Sequence, residues 1–194
     1  NPIHPYWHER LAGHCEVVVA PDAQPATIAA LIGEADGLIV RSLLAPGVFA
    51  HAPRLRAIVR HGVGLDLIPM AEATARGIPV ANLPGSNTRA VAEYCIAAML
   101  FLCRNLADID RRLRSDGWAA ARPQADHVSE LGGGVIGIVG VGTIGTRIAK
   151  AAAGLDMQVL GLTRRAWTPA ELTAQTGVAI ESVDKRTLFA RSDV

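Results

Sequence analysis

Val135-Ile136-Gly137-Ile138-Val139-Gly140-Val141-Gly142-Thr143-Ile144-Gly145 is the stretch on which the fold turns. A short aliphatic run leads into glycines spaced G-x-G-x-x-G, and Ile144, Ile148, Ala152 and Leu155 then recur at helical intervals. Strand, turn and helix in that order give each glycine a task. Gly140 permits the tight turn, Gly142 lets the backbone approach a phosphate, and Gly145 lets the helix pack close to the strand. Thr143 and Ile144 open the helix, where amides lack intrahelical acceptors and the dipole favours an anion. The glycine spacing alone is a weak signal. With an apolar strand before it and a helix after it, it marks Gly140, Gly142, Thr143, Ile144 and Gly145 as contacts for a dinucleotide.

The next aliphatic run, residues 157–162, is a second strand, and such strands end where the ribose of a dinucleotide is recognised. An Asp or Glu there accepts hydrogen bonds from the ribose hydroxyls. This chain has Thr163-Arg164-Arg165 instead. Guanidiniums hold a 2′-phosphate through charge-assisted bonds of roughly 1.5–3 kcal/mol each, which favours NADP(H) over NAD(H). The competing reading is a solvated arginine pair. Further on, Thr168-Pro169-Ala170-Glu171 is a capping-box pattern with proline at the first helical position, so a helix starts there.

Toward the N-terminus the same alternation continues. Residues 17–19, 38–40, 57–59 and 80–82 are brief aliphatic runs without polar alternation, expected as strands covered on both faces. Helical segments are expected over 27–32, 46–50 and 67–75. Strand and helix in repeated succession imply parallel sheets with crossover helices. Ser86 or Asn87 can cap a long helix expected over 88–113, whose Val91, Cys95, Ala98, Met99, Leu102, Cys103 and Leu106 keep a helical spacing. That stripe suits a core, or an interface with a second copy. Arg111, Arg112 and Arg114 read as a solvated helix terminus, and residues 116–130 as an irregular surface connection.

Arg60-His61-Gly62-Val63-Gly64-Leu65-Asp66 follows the strand 57–59 and therefore sits at a carboxyl edge, where open parallel sheets bind ligands. Glycines on both sides of Val63 free consecutive N–H groups to cradle an anion such as a carboxylate. Read from the residues alone, a structural turn is the better account. His61 beside this loop is a candidate general acid by residue type, but the sequence supplies no carboxylate to orient it for proton transfer.

Composition narrows the classes of function. The 194 residues are 50% hydrophobic with net charge +1, so no global field points to nucleic acid or a membrane surface. The six histidines are scattered without metal-ligand pairing. Cys95 and Cys103 are expected as small buried hydrophobes, and Cys15 stands apart. With no signal peptide and no apolar run long enough to span a bilayer, a reducing cytoplasm is expected. Neither end, Asn1-Pro2-Ile3 or Arg191-Ser192-Asp193-Val194, has the polar tail usual at a domain boundary, so the chain is expected to be an incomplete record of a longer protein.

Taken in order, Val40-Arg41-Ser42, the 61–66 loop, Gly77-Ile78-Pro79-Val80-Ala81-Asn82, Pro84-Gly85-Ser86-Asn87 with Val91-Ala92-Glu93, the 140–145 loop and residues 188–194 resemble the D-isomer-specific 2-hydroxyacid dehydrogenase family. This family includes phosphoglycerate dehydrogenases and glyoxylate/hydroxypyruvate reductases. The resemblance implies an α/β fold of two doubly wound parallel-sheet domains: a flavodoxin-like substrate domain over 1–83, short of its first strand, and a Rossmann nucleotide-binding domain over 84–194, incomplete at its C-terminal end. It implies a small 2-oxo or 2-hydroxy acid as substrate, held by Ser42, His61, Gly62, Val63 and Gly64, and a homodimer formed through the helix 88–113. The family's catalytic arginine, acidic residue and histidine are expected beyond Val194. Corepressor-like members of the family bind nucleotide without turnover, so an inactive or sensing protein is the alternative.

Overall fold

The computed structural model describes residues 3–165 and 167–194. Asn1 and Pro2, with which the chain opens, lie outside the described residues. The chain divides into two compact units, Asn1–Ser86 and Asn87–Val194.

The first unit opens with α1 (Pro5–Ala12) and α2 (Pro25–Ile32), each with proline in its first turn, where a missing N–H costs nothing. Its sheet is parallel, with β1 (Gly37–Val40), β2 (Ala57–Arg60) and β3 (Val80–Ala81) in that spatial order. A 3-10 turn over Val48–His51, where a helix was expected over 46–50, and α3 (Met70–Ala75) make the crossovers. Phe49, Val48, Ile32, Ile58, Val40 and Ala73 form the core between these elements and one face of the sheet. Fully burying such side chains contributes roughly 1.5–3 kcal/mol each.

Two expectations are corrected in this unit. The three valines at 17–19 form no strand, and Val18 is 64% exposed. β-propensity needs a ladder partner, and this segment has none among the described residues. The strands are also not covered on both faces. Ile39 and Val59, paired in register, are 43% and 37% exposed, because α2, the 3-10 turn and α3 gather on the other side.

The second unit opens with α4 (Thr88–Cys103), which stops short of the expected 88–113 span. Asn105 takes a left-handed conformation (φ 47°), and α5 (Leu106–Asp116) leaves at 56° to α4. Asn tolerates that backbone region better than most residues, so the break falls where the sequence can bear it. Bending also divides the apolar stripe. Met99 is buried and Ile96, Leu100 and Cys103 pack near it, whereas Leu102 is 73% exposed and Leu106 is also exposed. Cys95 and Cys103 are half-buried rather than buried. Arg111 and Arg112 both pair with Asp108, and Arg114 pairs with Asp110 at 3.0 Å, so this cluster is an ion-paired helix face. The expected irregular connection is helical too: α6 (Trp118–Ala121) with Ala121 buried, then a 3-10 turn over Arg122–His127. Few aliphatic residues suffice there because one small residue carries the packing.

After it come β4 (Val135–Val139), α7 (Thr143–Ala153), β5 (Gln158–Leu162), α8 (Pro169–Thr176), β6 (Glu181–Ser182) and α9 (Lys185–Arg191). The strands are parallel in the order β4-β5-β6. Beyond α9 the chain returns to the opposite side of β4, where Asp193 N–H donates to Val135 O (2.9 Å) and Gly137 N–H donates to Val194 O (2.9 Å). The succession thus runs outward from β4 and then reverses across it, which makes the carboxyl end of β4 a topological switch point. Leu160, Leu172, Ile180, Ile136 and Ala149 fill the core of this sheet.

The expected capping box starts α8. Glu171 N–H donates to Thr168 Oγ1 (3.3 Å), and Thr168 N–H and hydroxyl donate to Glu171 Oε2 (2.8 and 2.9 Å). These bonds, the backbone one foremost, hold the Glu171 carboxyl below its usual range. A depressed folded-state pKa adds stability above the unfolded value and loses it as pH falls through the folded value. Glu171→Gln is therefore expected to lower the melting temperature at neutral pH, with the difference from the parent vanishing in acid. A pH series of thermal melts reads it, and a pH-independent difference would assign the effect to packing.

Candidate functional site

At the switch point the chain leaves β4 through Gly140, whose φ of 96° a side chain would strain. Gly140 N–H still donates to Leu162 O (2.8 Å), so the turn begins on the sheet. Gly142 caps α7 through its carbonyl alone, which accepts from Thr146 N–H at 2.8 Å. The N–H groups of Thr143, Ile144 and Gly145 have no acceptor among the described residues, so three donors are free at the positive end of an 11-residue helix. Gly145 is buried, and a Cβ there would run into Gly140 O and stand 3.1 Å from Ile138 Cγ2. A Cβ at Gly142 would meet nothing within 4 Å. One glycine is thus required by the protein's own packing. The other leaves open space beside the free amides, as a pyrophosphate approaching the backbone requires.

Register places the second half of this site. Val139 pairs with Leu162, so Gly140 and Thr163 leave the sheet side by side. Thr163 Oγ donates to Arg165 O (2.6 Å), closing a tight turn after β5. The Arg165 guanidinium lies 3.8 Å from the centre of the Trp167 ring, and its charge also helps to depress the Glu171 carboxyl. Arg164 is exposed and makes no ion pair among the described residues. The two arginines therefore differ: one is stacked on a ring, and the other is available. Trp167 escaped sequence reading because stacking across a tight turn leaves no periodic trace.

In the first unit, Ser42 and residues 61–64 also share a carboxyl edge, since Val40 pairs with Arg60. Ser42 is half-buried and His61 is exposed, with no hydrogen bond to the His61 ring among the described residues. His61 N–H donates to Val40 O (3.0 Å) and Gly62 N–H to Arg60 O (2.8 Å), while the N–H groups of Val63 and Gly64 have no described acceptor. Asn82 Nδ2 donates to Val63 O at 2.7 Å, and Arg60 Nε donates to Gly64 O at 3.1 Å. Neither Arg60 nor Asn82 stood out in the sequence as a partner of the loop, because Asn82 reaches it across 19 residues. Among the described residues no three His, Cys, Asp or Glu side chains gather as metal ligands, and no single helix is long and apolar enough to cross a membrane.

Comparison with known proteins agrees with this geometry. The family model for the D-isomer specific 2-hydroxyacid dehydrogenase catalytic domain matches residues 1–192. A D-3-phosphoglycerate dehydrogenase of Mycobacterium leprae is 37% identical over 166 residues, covering 84% of this chain and 30% of that protein. A hydroxypyruvate reductase of Thermotoga maritima is 34% identical over 165 residues, covering 84% of this chain and 51% of that protein. The chain thus spans from about a third to half the length of these relatives. Among solved structures, a putative NAD-binding D-isomer specific 2-hydroxyacid dehydrogenase from Polaromonas superposes with a TM-score of 0.80 at 27% identity, over 97% of this chain and 60% of that one. With two parallel α/β units, a glycine turn at a switch point and a family match over nearly its whole length, the chain belongs to the D-isomer-specific 2-hydroxyacid dehydrogenase family.

Proposed function

We propose that the protein transfers a hydride between NADP(H) and a small 2-oxo or 2-hydroxy acid. The observation that carries this reading is the pairing, at one sheet edge, of the free amides of Thr143, Ile144 and Gly145 with the uncommitted Arg164 guanidinium. The amides hold the pyrophosphate and Arg164 holds the 2′-phosphate, while Arg165, stacked on Trp167, flanks it. When bound, the nicotinamide supplies or accepts the hydride. Residues 84–194 carry this nucleotide function and residues 1–83 the substrate function, with Val63 and Gly64 donating to the acid's carboxylate beside Ser42, His61 and Gly62. His61 binds rather than moves a proton, because no carboxylate among the described residues orients its ring.

The test is NADPH oxidation by the protein at its natural length with a panel of 2-oxo acids including glyoxylate and hydroxypyruvate. Turnover with NADPH well above that with NADH is expected. Tight NADPH binding without turnover of any acid would move the protein to the sensing class.

The same reading places the protein in the cytoplasm as a homodimer. Tyr94, Phe101, Leu102, Leu106, Leu113 and Trp118 on α4, α5 and α6 are 44–73% exposed, and covering such large apolar side chains is what a second copy would supply. Leu102→Asp is expected to convert a dimer to a monomer in sedimentation velocity without loss of secondary structure. A parent protein already monomeric at micromolar concentration would overturn the assignment.

A further inference from the structure

The 61–64 loop has one feature that neither the glycines nor the fold requires: every one of its carbonyls is occupied. His61 O accepts from Arg60 Nη1 (2.6 Å), Gly62 O from Leu83 N–H (2.9 Å), Val63 O from Asn82 Nδ2 (2.7 Å) and Gly64 O from Arg60 Nε (3.1 Å). Arg60 Nη1 also reaches Val40 O at 3.3 Å, so its guanidinium ties the loop to the end of β1. The side chain is folded against the loop rather than extended into solvent. A Cβ at Gly62 would stand 2.9–3.1 Å from three atoms of the guanidinium, so the arginine head lies directly over the loop backbone.

A trans peptide is planar, so the carbonyl of one residue and the N–H of the next point in opposite directions. Holding the Gly62 carbonyl therefore aims the Val63 N–H the other way, and holding the Val63 carbonyl does the same for the Gly64 N–H. The two amides left without acceptors are the two whose preceding carbonyls are pinned by Leu83 N–H and by Asn82.

We propose that Asn82 and Arg60 are positioning residues for substrate: Asn82, together with Leu83 N–H, pins the carbonyls that aim the Val63 and Gly64 N–H groups at the substrate carboxylate, and Arg60 braces the flanking His61 and Gly64 carbonyls. The inference rests on the reading of this loop as the carboxylate site. Asn82 supplies the single bond that fixes the Val63–Gly64 peptide. The Arg60 fork spans carbonyls on both sides of that peptide, a task the single ammonium of lysine cannot duplicate.

The experiment compares the protein at its natural length with Asn82→Leu, which removes the donor without adding charge, and Arg60→Lys, which keeps the charge and removes the fork. Each variant is expected to raise the KM for the 2-oxo acid by about tenfold, as loss of one aligned charge-assisted bond would. Affinity for the substrate analogue oxamate should fall by the same factor. The Kd for NADPH and the kcat at saturating acid should stay within about twofold of the parent. Thermal melts establish folding. Should Arg60→Lys not fold, Asn82→Leu alone decides, and Asn82→Ser replaces it if needed. Folded variants with unchanged KM and unchanged oxamate affinity overturn the proposal. Val63→Pro, which deletes one of the two amides, separates this failure from that of the underlying reading. If it raises KM while Asn82→Leu does not, the loop binds the carboxylate and the clamp is refuted. If it also leaves KM unchanged in an active enzyme, the loop is not the carboxylate site and both statements fall.

Discussion

Gly145→Ala is expected to weaken nucleotide binding by about tenfold or more and to lower the melting temperature of the nucleotide unit together with it. The added methyl group would run into Gly140 O and crowd Ile138 Cγ2 at 3.1 Å, and the nearest obstacle is backbone rather than a yielding side-chain tip. Overpacking of this kind costs typically about 1–3 kcal/mol. Relief requires α7 to move off β4, which carries the free amides of Thr143 and Ile144 away from the turn at Gly140. Gly142→Ala isolates the second effect. Its methyl meets nothing within 4 Å in the protein, so stability should be unchanged, while the same methyl stands where the pyrophosphate would approach. Calorimetric titration with NADPH and thermal melts read both variants. Full binding by the Gly142→Ala protein would mean that the nucleotide does not lie against this turn.

The next largest effect is expected at the end of β5. Arg164→Ala should raise the Kd for NADPH by about tenfold or more and leave NADH nearly unaffected, because a 2′-phosphate loses at least one charge-assisted bond. Arg165→Ala should do less directly, since that guanidinium is committed to the Trp167 ring and lies near Glu171. Arg164→Asp carries the argument further: a carboxylate repels the 2′-phosphate and accepts from ribose hydroxyls, so preference should pass to NADH. The check is the ratio of kcat/KM for the two coenzymes. An Arg164→Ala protein that discriminates as the parent does would leave the arginine pair as solvated surface and remove the NADP(H) assignment. High salt should reduce the parent's preference as well, since an exposed guanidinium is screened.

The sequence by itself determined much of the second unit from residue 135 onward. The strand, glycine turn and helix at 135–153 and the capping box at Thr168 are local patterns, and each is found where the residues place it. The turn at Gly140 and the close helix at Gly145 were legible because each leaves a residue-type signature. The parallel α/β class followed from alternation of aliphatic runs with helical segments.

What only the tertiary structure decided concerns partners distant along the chain. The valines at 17–19 have strand propensity but no ladder, and propensity cannot report the absence of a neighbour. The long helix was continuous in its apolar spacing but broke at Asn105, a residue type that tolerates the left-handed backbone found there. Arg164 and Arg165 are adjacent and alike in sequence, and a ring two residues on makes one of them a fixed shelf. The 61–64 loop shows the division most directly. Its glycines announce free amides, but the direction of those amides depends on Asn82 and on the fold of one arginine side chain. Residue type sets which groups can donate. Only the folded chain sets where they point.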